Sequence, residues 1–217
     1  MSTFCLFHGD AIETMRRLPS ASIDLIDVDC AYESLEKHRA VGTTTRLKQS
    51  DASSNEWFEI FRNDRFPAFF EEAYRVLKKN THLYFFCDGE TSRVAIPVAE
   101  AAGFTFWNEI VWVKTKGVVS ADNLERSDLK IGMGYHFRRS KEYILFFEKG
   151  KRKLADLGVP DVLPFPRVTN GYPTEKPIEL HKVLISQSTS PGETVLDPFM
   201  GSGSAGNAAL RLGRNFV

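Results

Sequence analysis

The 217-residue chain has few cysteines and no net charge. Its three cysteines, Cys5, Cys30 and Cys87, are far apart in the sequence, which excludes a disulfide framework and a zinc knuckle and is typical of a reducing compartment. Lys and Arg together number 28, as do Asp and Glu. Any binding to nucleic acid must therefore come from local basic patches and not from a global electrostatic field.

Long apolar runs are also missing. No stretch is long enough to span a membrane, and the N-terminus lacks the basic and then apolar pattern of a secretory signal. None of the five histidines stands at the spacing of metal ligands. We therefore expect a cytoplasmic protein that acts without a membrane and without a metal ion.

Short apolar segments instead alternate with amphipathic helical patterns along the chain. The strand-like segments are 4–7, 23–29, 82–87, 104–113, 142–147, 194–197 and the start of another at 215–217. The helical patterns cover 11–18, 66–79, 92–102, 177–187 and about 204–212. About seven strands alternating with helices predict an α/β sheet with helices on both faces, in a single domain over 1–217.

Three long segments interrupt this alternation, at 31–56, 115–137 and 149–172. They read as irregular, and loops of that length inside a compact domain are usually functional. Ligands of open α/β sheets bind beyond the carboxyl ends of the strands. We therefore predict that these segments contribute the catalytic and target-recognition parts of the site.

A glycine-rich turn follows the strand at 194–197. Gly201 and Gly203 let the backbone turn tightly and approach a ligand, and the next helix offers free N–H groups and the positive end of its dipole. The turn predicts a nucleotide-like cofactor, although two glycines alone are equally compatible with a turn that has no ligand. Gly206 completes a dinucleotide-binding pattern, but only eleven residues follow it. A dehydrogenase needs an acid about twenty residues further on.

Three segments taken together identify a family. They are 23–32 (IDLIDVDCAY), 173–180 (PTEKPIEL) and 197–203 (DPFMGSG). In this order they resemble the amino-group DNA methyltransferases of the beta arrangement, whose Asp-Pro-Pro-Tyr catalytic element precedes the Phe-x-Gly-x-Gly cofactor element. The resemblance spans nearly the whole chain. Its most specific part is Thr-Glu-Lys-Pro about twenty residues before the glycine turn.

The resemblance implies a class I methyltransferase fold, which is a Rossmann-like seven-stranded mixed sheet, and S-adenosyl-L-methionine as the cofactor. It implies methyl transfer to adenine N6 in double-stranded DNA, as in restriction–modification. The cofactor-binding residues it implies are Asp10, Ala11, Asp29, Thr174, Lys176, Asp197, Phe199, Gly201, Ser202 and Gly203. Among these, Thr174 and Lys176 would hold the methionine end of the cofactor. The catalytic element it implies is Asp29, Cys30, Ala31 and Tyr32.

The expected chemistry needs these residue types. An exocyclic amino nitrogen is a poor nucleophile because its lone pair is delocalised into the ring. The Asp29 carboxylate and the backbone carbonyl of residue 30 would each accept one N–H, so that the lone pair points at the sulfonium methyl. Tyr32 would stack on a base flipped out of the duplex.

Cys30 and Ala31 depart from the family, because they stand where it has two prolines. This leaves open a methyltransferase-like DNA-binding or partner subunit with weak or no transfer. Asp29 at the head of the element favours adenine, with N4-cytosine as the alternative. A cytosine-C5 mechanism through a Cys30 thiolate is rejected, because that family's cysteine follows a proline in a different motif order.

Basic side chains in or near the three loops predict salt-dependent contacts with DNA phosphates. They are Arg39, Arg46, Lys48, Arg138, Arg139 and Lys141, with Lys151 and Arg152 further along. The family resemblance alone suggests a homodimer.

Overall fold

The structure is a computed structural model that describes residues 2–35, 59–132, 136–169, 172 and 174–217. Its helices are α1 (Ala11–Arg17), α2 (Phe66–Val76), α3 (Ser92–Ala101), α4 (Ile178–Ser188) and α5 (Ser204–Arg211). Its strands are β1 (Ile23–Val28), β2 (Leu77–Cys87), β3 (Thr105–Thr115), β4 (Lys141–Lys149), β5 (Val162–Pro166), β6 (Thr194–Leu196) and β7 (Asn215–Phe216). No helix in these ranges is long and apolar enough to cross a membrane.

The strands form one seven-stranded sheet in the order β5-β3-β4-β2-β1-β6-β7. All adjacent pairs are parallel except those that β4 makes with β2 and β3. The predicted seven-stranded mixed sheet is confirmed. We call the edge where β1, β2, β3, β5 and β6 end the carboxyl edge, and the opposite one the amino edge.

Helices cover both faces of the sheet, as predicted. On one face, α1, α2 and α3 pack on β1 and β2 through a cluster that includes Met15, Phe69 and Ala99. On the other face, α4 and α5 pack through Leu184 and Ala208. The strands between them are buried on both faces, and β1 is buried over its whole length although it carries two aspartates.

The helix predicted over 66–79 ends earlier, at Val76. Leu77 already belongs to β2 and pairs with Ile23, and Lys78 Nζ donates to Asp24 Oδ1 at 2.8 Å. The strand is therefore longer than the predicted 82–87. Pairing with β1 outweighs the helical periodicity of these residues, because contacts with a neighbouring strand are absent from a local pattern.

Two further expectations about strands are wrong. The segment 149–172 is not wholly irregular, because β5 lies within it and pairs with β3. Its Pro164 and Pro166 are tolerated because β5 is an edge strand. The run 4–7 forms only a single bridge, between Phe4 and Phe216, so the predicted count of seven strands holds with β5 in its place.

The direction of β4 corrects the position of the third loop. Because β4 is antiparallel to β2, Lys149 lies at the amino edge, and residues 150–161 return from there to the start of β5. Lys151 and Arg152 are therefore far from the carboxyl edge, where DNA contacts were expected. Arg152 instead pairs with Glu193, just before β6, at 2.7 Å.

Candidate active site

A cavity of about 400 Å³ opens at the carboxyl edge, where the segments after β1 and β6 lie side by side. Its wall brings together four parts of the sequence that are remote along the chain. The residues predicted to bind the cofactor or to act in catalysis that line it are Asp10, Ala11, Asp29, Cys30, Ala31, Tyr32, Thr174, Lys176, Asp197, Phe199, Gly201 and Ser202. Of the residues predicted for these roles, Gly203 does not reach the wall.

The glycine turn connects β6 to α5 through left-handed backbone. Gly201 has φ 51° and Gly203 has φ 78°, a conformation that disfavours any residue with a Cβ. Asp197 opens the turn, and its Oδ1 accepts the Phe199 N–H at 3.0 Å. Gly203 therefore shapes the turn at the start of α5, while Gly201 and Ser202 face the cavity.

Thr174 also lines the cavity, in an unusual backbone conformation. Its φ is 62°, which is rare for a β-branched residue and costs about 1–3 kcal/mol, so neighbouring structure must enforce it. The Glu175 N–H donates to the Tyr172 carbonyl at 3.2 Å across this turn. The strained turn places Thr174 and Lys176 on the wall together.

Asp10 has a structural partner as well as a place on the wall. Its Oδ1 accepts the Glu13 N–H at 3.1 Å and caps α1, and its Oδ2 pairs with Arg65 at 2.6 Å. Partial burial opposes ionisation of Asp10, but the bonds from Arg65 and the α1 backbone outweigh it and lower the pKa of this carboxyl. Asp10 therefore presents a fixed negative charge beside the cavity.

The segment after β1 is held in place by Phe61, which contacts it through the backbone and contacts the glycine turn through its ring. Tyr32 is 8% exposed and forms a bridge with Phe61, and the Ala31 carbonyl accepts the Phe61 N–H at 2.8 Å. The Phe61 ring in turn lies 4.8 Å from Phe199, edge to face. The predicted catalytic element and the glycine turn are thus joined through one residue that the sequence patterns did not single out.

Cys30 is buried in this segment. Burial, together with the nearby Asp29 carboxylate, raises the pKa of the Cys30 thiol far above its usual range. A thiol in that state is a poor nucleophile, which agrees with the rejection of a cysteine-based mechanism.

Buried charges meet at the back of the cavity. Lys176 Nζ donates to Asp29 Oδ2 and lies 3.4 Å from Glu142 Oε2, and Glu142 Oε1 accepts from Lys114 Nζ. Burial alone would lower the pKa of Lys176, but the two carboxylates outweigh it and raise the pKa above its usual value. Burial raises the pKa of Asp29, and the Lys176 ammonium opposes that rise.

A second buried group lies between β1, α4 and the glycine turn. His181 Nδ1 is 2.7 Å from Asp27 Oδ2, and Asp27 Oδ1 has no hydrogen-bond partner among the described residues. Burial and the Asp27 charge raise the pKa of Asp197 to about 7. Burial opposes protonation of His181, but Asp27 outweighs it and raises the pKa of the imidazole.

The predicted DNA contacts are divided by the structure. Arg138, Arg139 and Lys141 lie at the carboxyl edge, where β4 begins, and all three are exposed. Arg139 approaches Asp88, which follows β2, at 3.4 Å. Arg39, Arg46 and Lys48 lie outside the described residues. In the described ranges, no group of three or more His, Cys, Asp and Glu side chains could hold a metal ion.

Several residues that line the cavity were missed by the sequence patterns, among them Phe61, Arg65, Glu142 and Tyr172. Glu142 had a usable signal, because a carboxylate beside the apolar run of a buried strand is rarely left without a function or partner. Arg65 and Phe61 had no such signal, because their partners, Asp10 and Phe199, lie in remote segments of the chain.

A family model described as DNA methylase matches residues 23–166 and 159–217. A candidate methylase of Escherichia coli (strain K12), YubD, is 32% identical over 220 residues, which is 100% of this chain and 83% of the relative. YhdJ of the same strain, named a DNA adenine methyltransferase, is 29% identical over 237 residues, or 98% of this chain and 76% of the relative.

Solved structures show the same fold at low sequence identity. The PvuII DNA methyltransferase, described as cytosine-N4-specific, aligns with a TM-score of 0.69 at 18% identity, covering 100% of this chain and 81% of the other. M1.HpyAVI in complex with SAM aligns with a TM-score of 0.64 at 21% identity, covering 100% of this chain and 91% of the other.

Proposed function

The chain belongs to the N6/N4 DNA methylase family, and on that premise we propose that it transfers the methyl group of S-adenosyl-L-methionine to adenine N6 in double-stranded DNA. The observation that carries the proposal is the cavity at the carboxyl edge. A carboxylate suited to hold an amino group, Asp29, and a glycine turn suited to hold a nucleoside, at Gly201, line the same wall.

The cavity fits the cofactor in size and in chemistry. Its volume of about 400 Å³ lies in the range of small-molecule sites. The cofactor carries an ammonium, a sulfonium and a carboxylate. Asp29 and Asp197 supply negative charge for the cations, the glycine turn before α5 receives the nucleoside, and Thr174 and Lys176 are proposed to hold the methionine end. A bound S-adenosyl-L-methionine supplies an electrophilic methyl group on sulfur.

The residues of the chain then have to orient the acceptor. Asp29 accepts one N–H of the target amine and the Cys30 carbonyl accepts the other, which turns the nitrogen lone pair towards the methyl donor. The Asp29 charge also stabilises the positive charge that develops on the nitrogen. Tyr32 lines the cavity and is 8% exposed, and we propose that it stacks on the flipped base.

Adenine is the proposed base because Asp29 heads the catalytic element. YhdJ, which is 29% identical, carries the name of an adenine enzyme, whereas the more distant PvuII enzyme is described as specific for cytosine N4. Nucleoside mass spectrometry of DNA treated with the protein and labelled cofactor tests the choice. N6-methyladenine is expected, and N4-methylcytosine would overturn the base assignment while keeping the reaction class.

DNA is proposed to bind across the carboxyl edge. Arg138, Arg139 and Lys141 are exposed there, and phosphate contacts of this kind make affinity fall steeply with salt. Substitution of all three by alanine should flatten that dependence, whereas Lys151→Ala at the amino edge should not. Base flipping follows from the need to bring adenine into the cavity, and a homodimer, testable by sedimentation, is proposed on family resemblance alone.

The second candidate is a subunit that binds DNA and cofactor without transferring the methyl group. Cys30 and Ala31 favour it, because they replace two prolines at the proposed chemical centre. The same labelled assay separates the two functions. Cofactor binding by calorimetry without label in DNA would support the non-catalytic subunit, and label in DNA would exclude it.

A further inference from the structure

Four charged side chains of alternating sign form a chain at the cavity wall: Lys114, Glu142, Lys176 and Asp29, of which the last three line the cavity. Their side chains are between 9% and 28% exposed, so the charges are little screened by water. Two cations and two anions balance one another. Such a group is stable only as a whole, because removing one member leaves another charge buried without its partner.

The contact between Lys176 and Asp29 conflicts with the work proposed for Asp29. A carboxylate whose Oδ2 already accepts an ammonium is a weaker acceptor for the target amine. The amine also becomes positively charged as it takes the methyl group, and an ammonium at hydrogen-bond distance from the same carboxylate opposes that charge. The arrangement in the structure therefore describes a resting state better than a reacting one.

Glu142 offers the ammonium a second place. Its Oε2 is 3.4 Å from Lys176 Nζ, and a small rotation of the flexible lysine side chain would close that distance. The rings of Phe86 and Trp112, whose centroids lie 5.7 Å and 6.0 Å from Nζ, favour a cation throughout this small region. The ammonium can thus leave Asp29 without leaving its buried surroundings.

We propose that Glu142 is a positioning residue that takes over the Lys176 ammonium when Asp29 accepts the target amine, so that the Lys176–Asp29 contact is a resting contact released by the substrate. This rests on the proposed function and adds to it a residue outside the catalytic element. Only hydrogen-bond partners change in the exchange, and no proton or covalent bond is transferred.

The electrostatics around Asp29 provide a signature for the proposal. Burial raises the pKa of Asp29, the Lys176 ammonium lowers it and the Glu142 carboxylate raises it. The other charged or titratable groups that act on this site are His181, which lowers the pKa of Asp29, and Asp197, Cys30 and Tyr32, which themselves respond to the Asp29 charge. Neutralising Glu142 and neutralising Lys176 should therefore shift the titration of Asp29 in opposite directions.

The test compares Glu142→Gln, Lys176→Met and the double variant with the unsubstituted chain. Carboxyl ¹³C NMR of the free protein should show the Asp29 pKa falling in Glu142→Gln and rising in Lys176→Met. In single-turnover assays, Glu142→Gln should slow transfer by at least about tenfold, as expected when preorganised electrostatics are lost, with the Kd for the cofactor changed less than about twofold. The double variant should transfer faster than Glu142→Gln when both are assayed at saturating cofactor, since Lys176 was also predicted to hold the methionine end, and above the raised Asp29 pKa, because no ammonium then competes for Asp29.

Glu148→Gln is the matched control. It removes another buried carboxylate of β4, at the amino edge, where Glu148 accepts from Trp107 Nε1 at 2.8 Å. This change should lower stability and leave the Asp29 titration and the rate of transfer as they are. Should Glu142→Gln fail to fold, Glu142→Asp keeps the charge and withdraws it from Lys176, and a smaller loss of rate in the same direction is expected.

Shifts of the Asp29 pKa in the same direction, or a double variant no faster than Glu142→Gln, would overturn the proposal. So would an unchanged rate in folded Glu142→Gln. Absence of transfer by the unsubstituted chain would contradict the proposed function instead. The NMR titration needs no turnover, and it would still decide whether Glu142 and Lys176 act on Asp29 in opposite senses.

Discussion

Charged side chains at the two edges of the sheet are paired in different ways. At the amino edge, Arg152 holds both oxygens of Glu193, at 3.0 Å and 2.7 Å. Asp24 there accepts from Lys78 at 2.8 Å and from the Thr194 N–H at 2.9 Å. Each carboxylate of these pairs has its own cation, and the bonds tie together segments that are 41 to 170 positions apart in the sequence.

At the carboxyl edge Asp10 also has a cation of its own, Arg65, but two other carboxylates of the cavity wall share a partner. Asp29 and Glu142 both approach one ammonium, and one oxygen of Asp27 has no partner among the described residues. The two acids on either side of β6 show the same contrast. The pKa of Glu193 before it is lowered, because the bonds from Arg152 outweigh burial, whereas burial and Asp27 raise that of Asp197 after it to about 7.

The difference separates charges that hold the fold together from charges that await a ligand. Fully paired carboxylates stabilise a fold at neutral pH, while enclosed and under-paired ones cost stability and are typical of sites that bind or react. Substitutions at the two edges can therefore break or sharpen the comparison, with the largest effect expected at Asp29 and the smallest at the carboxylates that flank β6.

Asp29→Ala should abolish methyl transfer, with a loss of at least about a thousandfold, because only the neutral Cys30 carbonyl would then remain to accept from the reacting amine. Its amino-edge counterpart, Asp24→Ala, should lower the free energy of unfolding by about 1–3 kcal/mol through loss of the Lys78 and Thr194 bonds, with the rate changed less than about threefold. Single-turnover assays and thermal denaturation of both variants measure the two effects. Transfer that persists in Asp29→Ala would mean that the catalytic element is wrongly placed.

Gly201→Val should weaken cofactor binding by at least about tenfold. Gly192→Val is its control, because both glycines have left-handed φ, 51° and 87°, and each substitution introduces backbone strain of about 1–2 kcal/mol. Only Gly201 lines the cavity, so only its substitution should reduce affinity in titration calorimetry. Equal affinities for the unsubstituted chain and Gly201→Val would contradict a cofactor site at this turn.

Cys30→Pro combined with Ala31→Pro should speed transfer. Each compatible proline removes about 0.4–1 kcal/mol of backbone entropy, so the two together correspond to at most about a thirtyfold gain. The bond from the Phe61 N–H to the Ala31 carbonyl, at 2.8 Å, already restrains this segment and should keep the gain below that limit. The unsubstituted chain should be slow but active in the same single-turnover assay. Inactivity that the double proline change rescues would show that the natural site is switched off.

The two carboxylates that flank β6 should give opposite pH dependences of stability. Asp197 ionises near pH 4 in the unfolded chain but at about 7 in the folded one, so its contribution to the free energy of unfolding falls as pH rises between these values. Glu193 has a lowered pKa, so its contribution is present above its unfolded pKa and is lost as pH falls through the folded one.

Thermal denaturation over a range of pH values measures this difference. The change in melting temperature that Asp197→Asn causes should be more positive at pH 8 than at pH 5, by a few degrees, because each kcal/mol corresponds to about 2–4 °C. The change in melting temperature that Glu193→Gln causes should be more negative at pH 7 than at pH 3. A pH-independent difference for Asp197→Asn would contradict the raised pKa.

The sequence alone determined the class of fold and the family. Strand and helix periodicities are local properties, so the alternation that predicts an α/β sheet could be read without knowing which strands pair. The glycine turn and the acids at the ends of β1 and β6 were also readable, because parallel strands of one sheet end at one edge. Asp29 and Gly201 could therefore be assigned to the same site before their distance was known.

Only the tertiary structure decided which side chains meet within that site and which lie away from it. Lys176 and Asp29 are 147 positions apart in the sequence, and Glu142 joins them from a strand that runs antiparallel to its neighbours. The same antiparallel strand carries Lys151 and Arg152 to the amino edge, and the pairing of β5 with β3 makes a strand of a segment rich in proline. Sheet order and strand direction arise from contacts between remote residues, and local periodicity holds no record of those contacts.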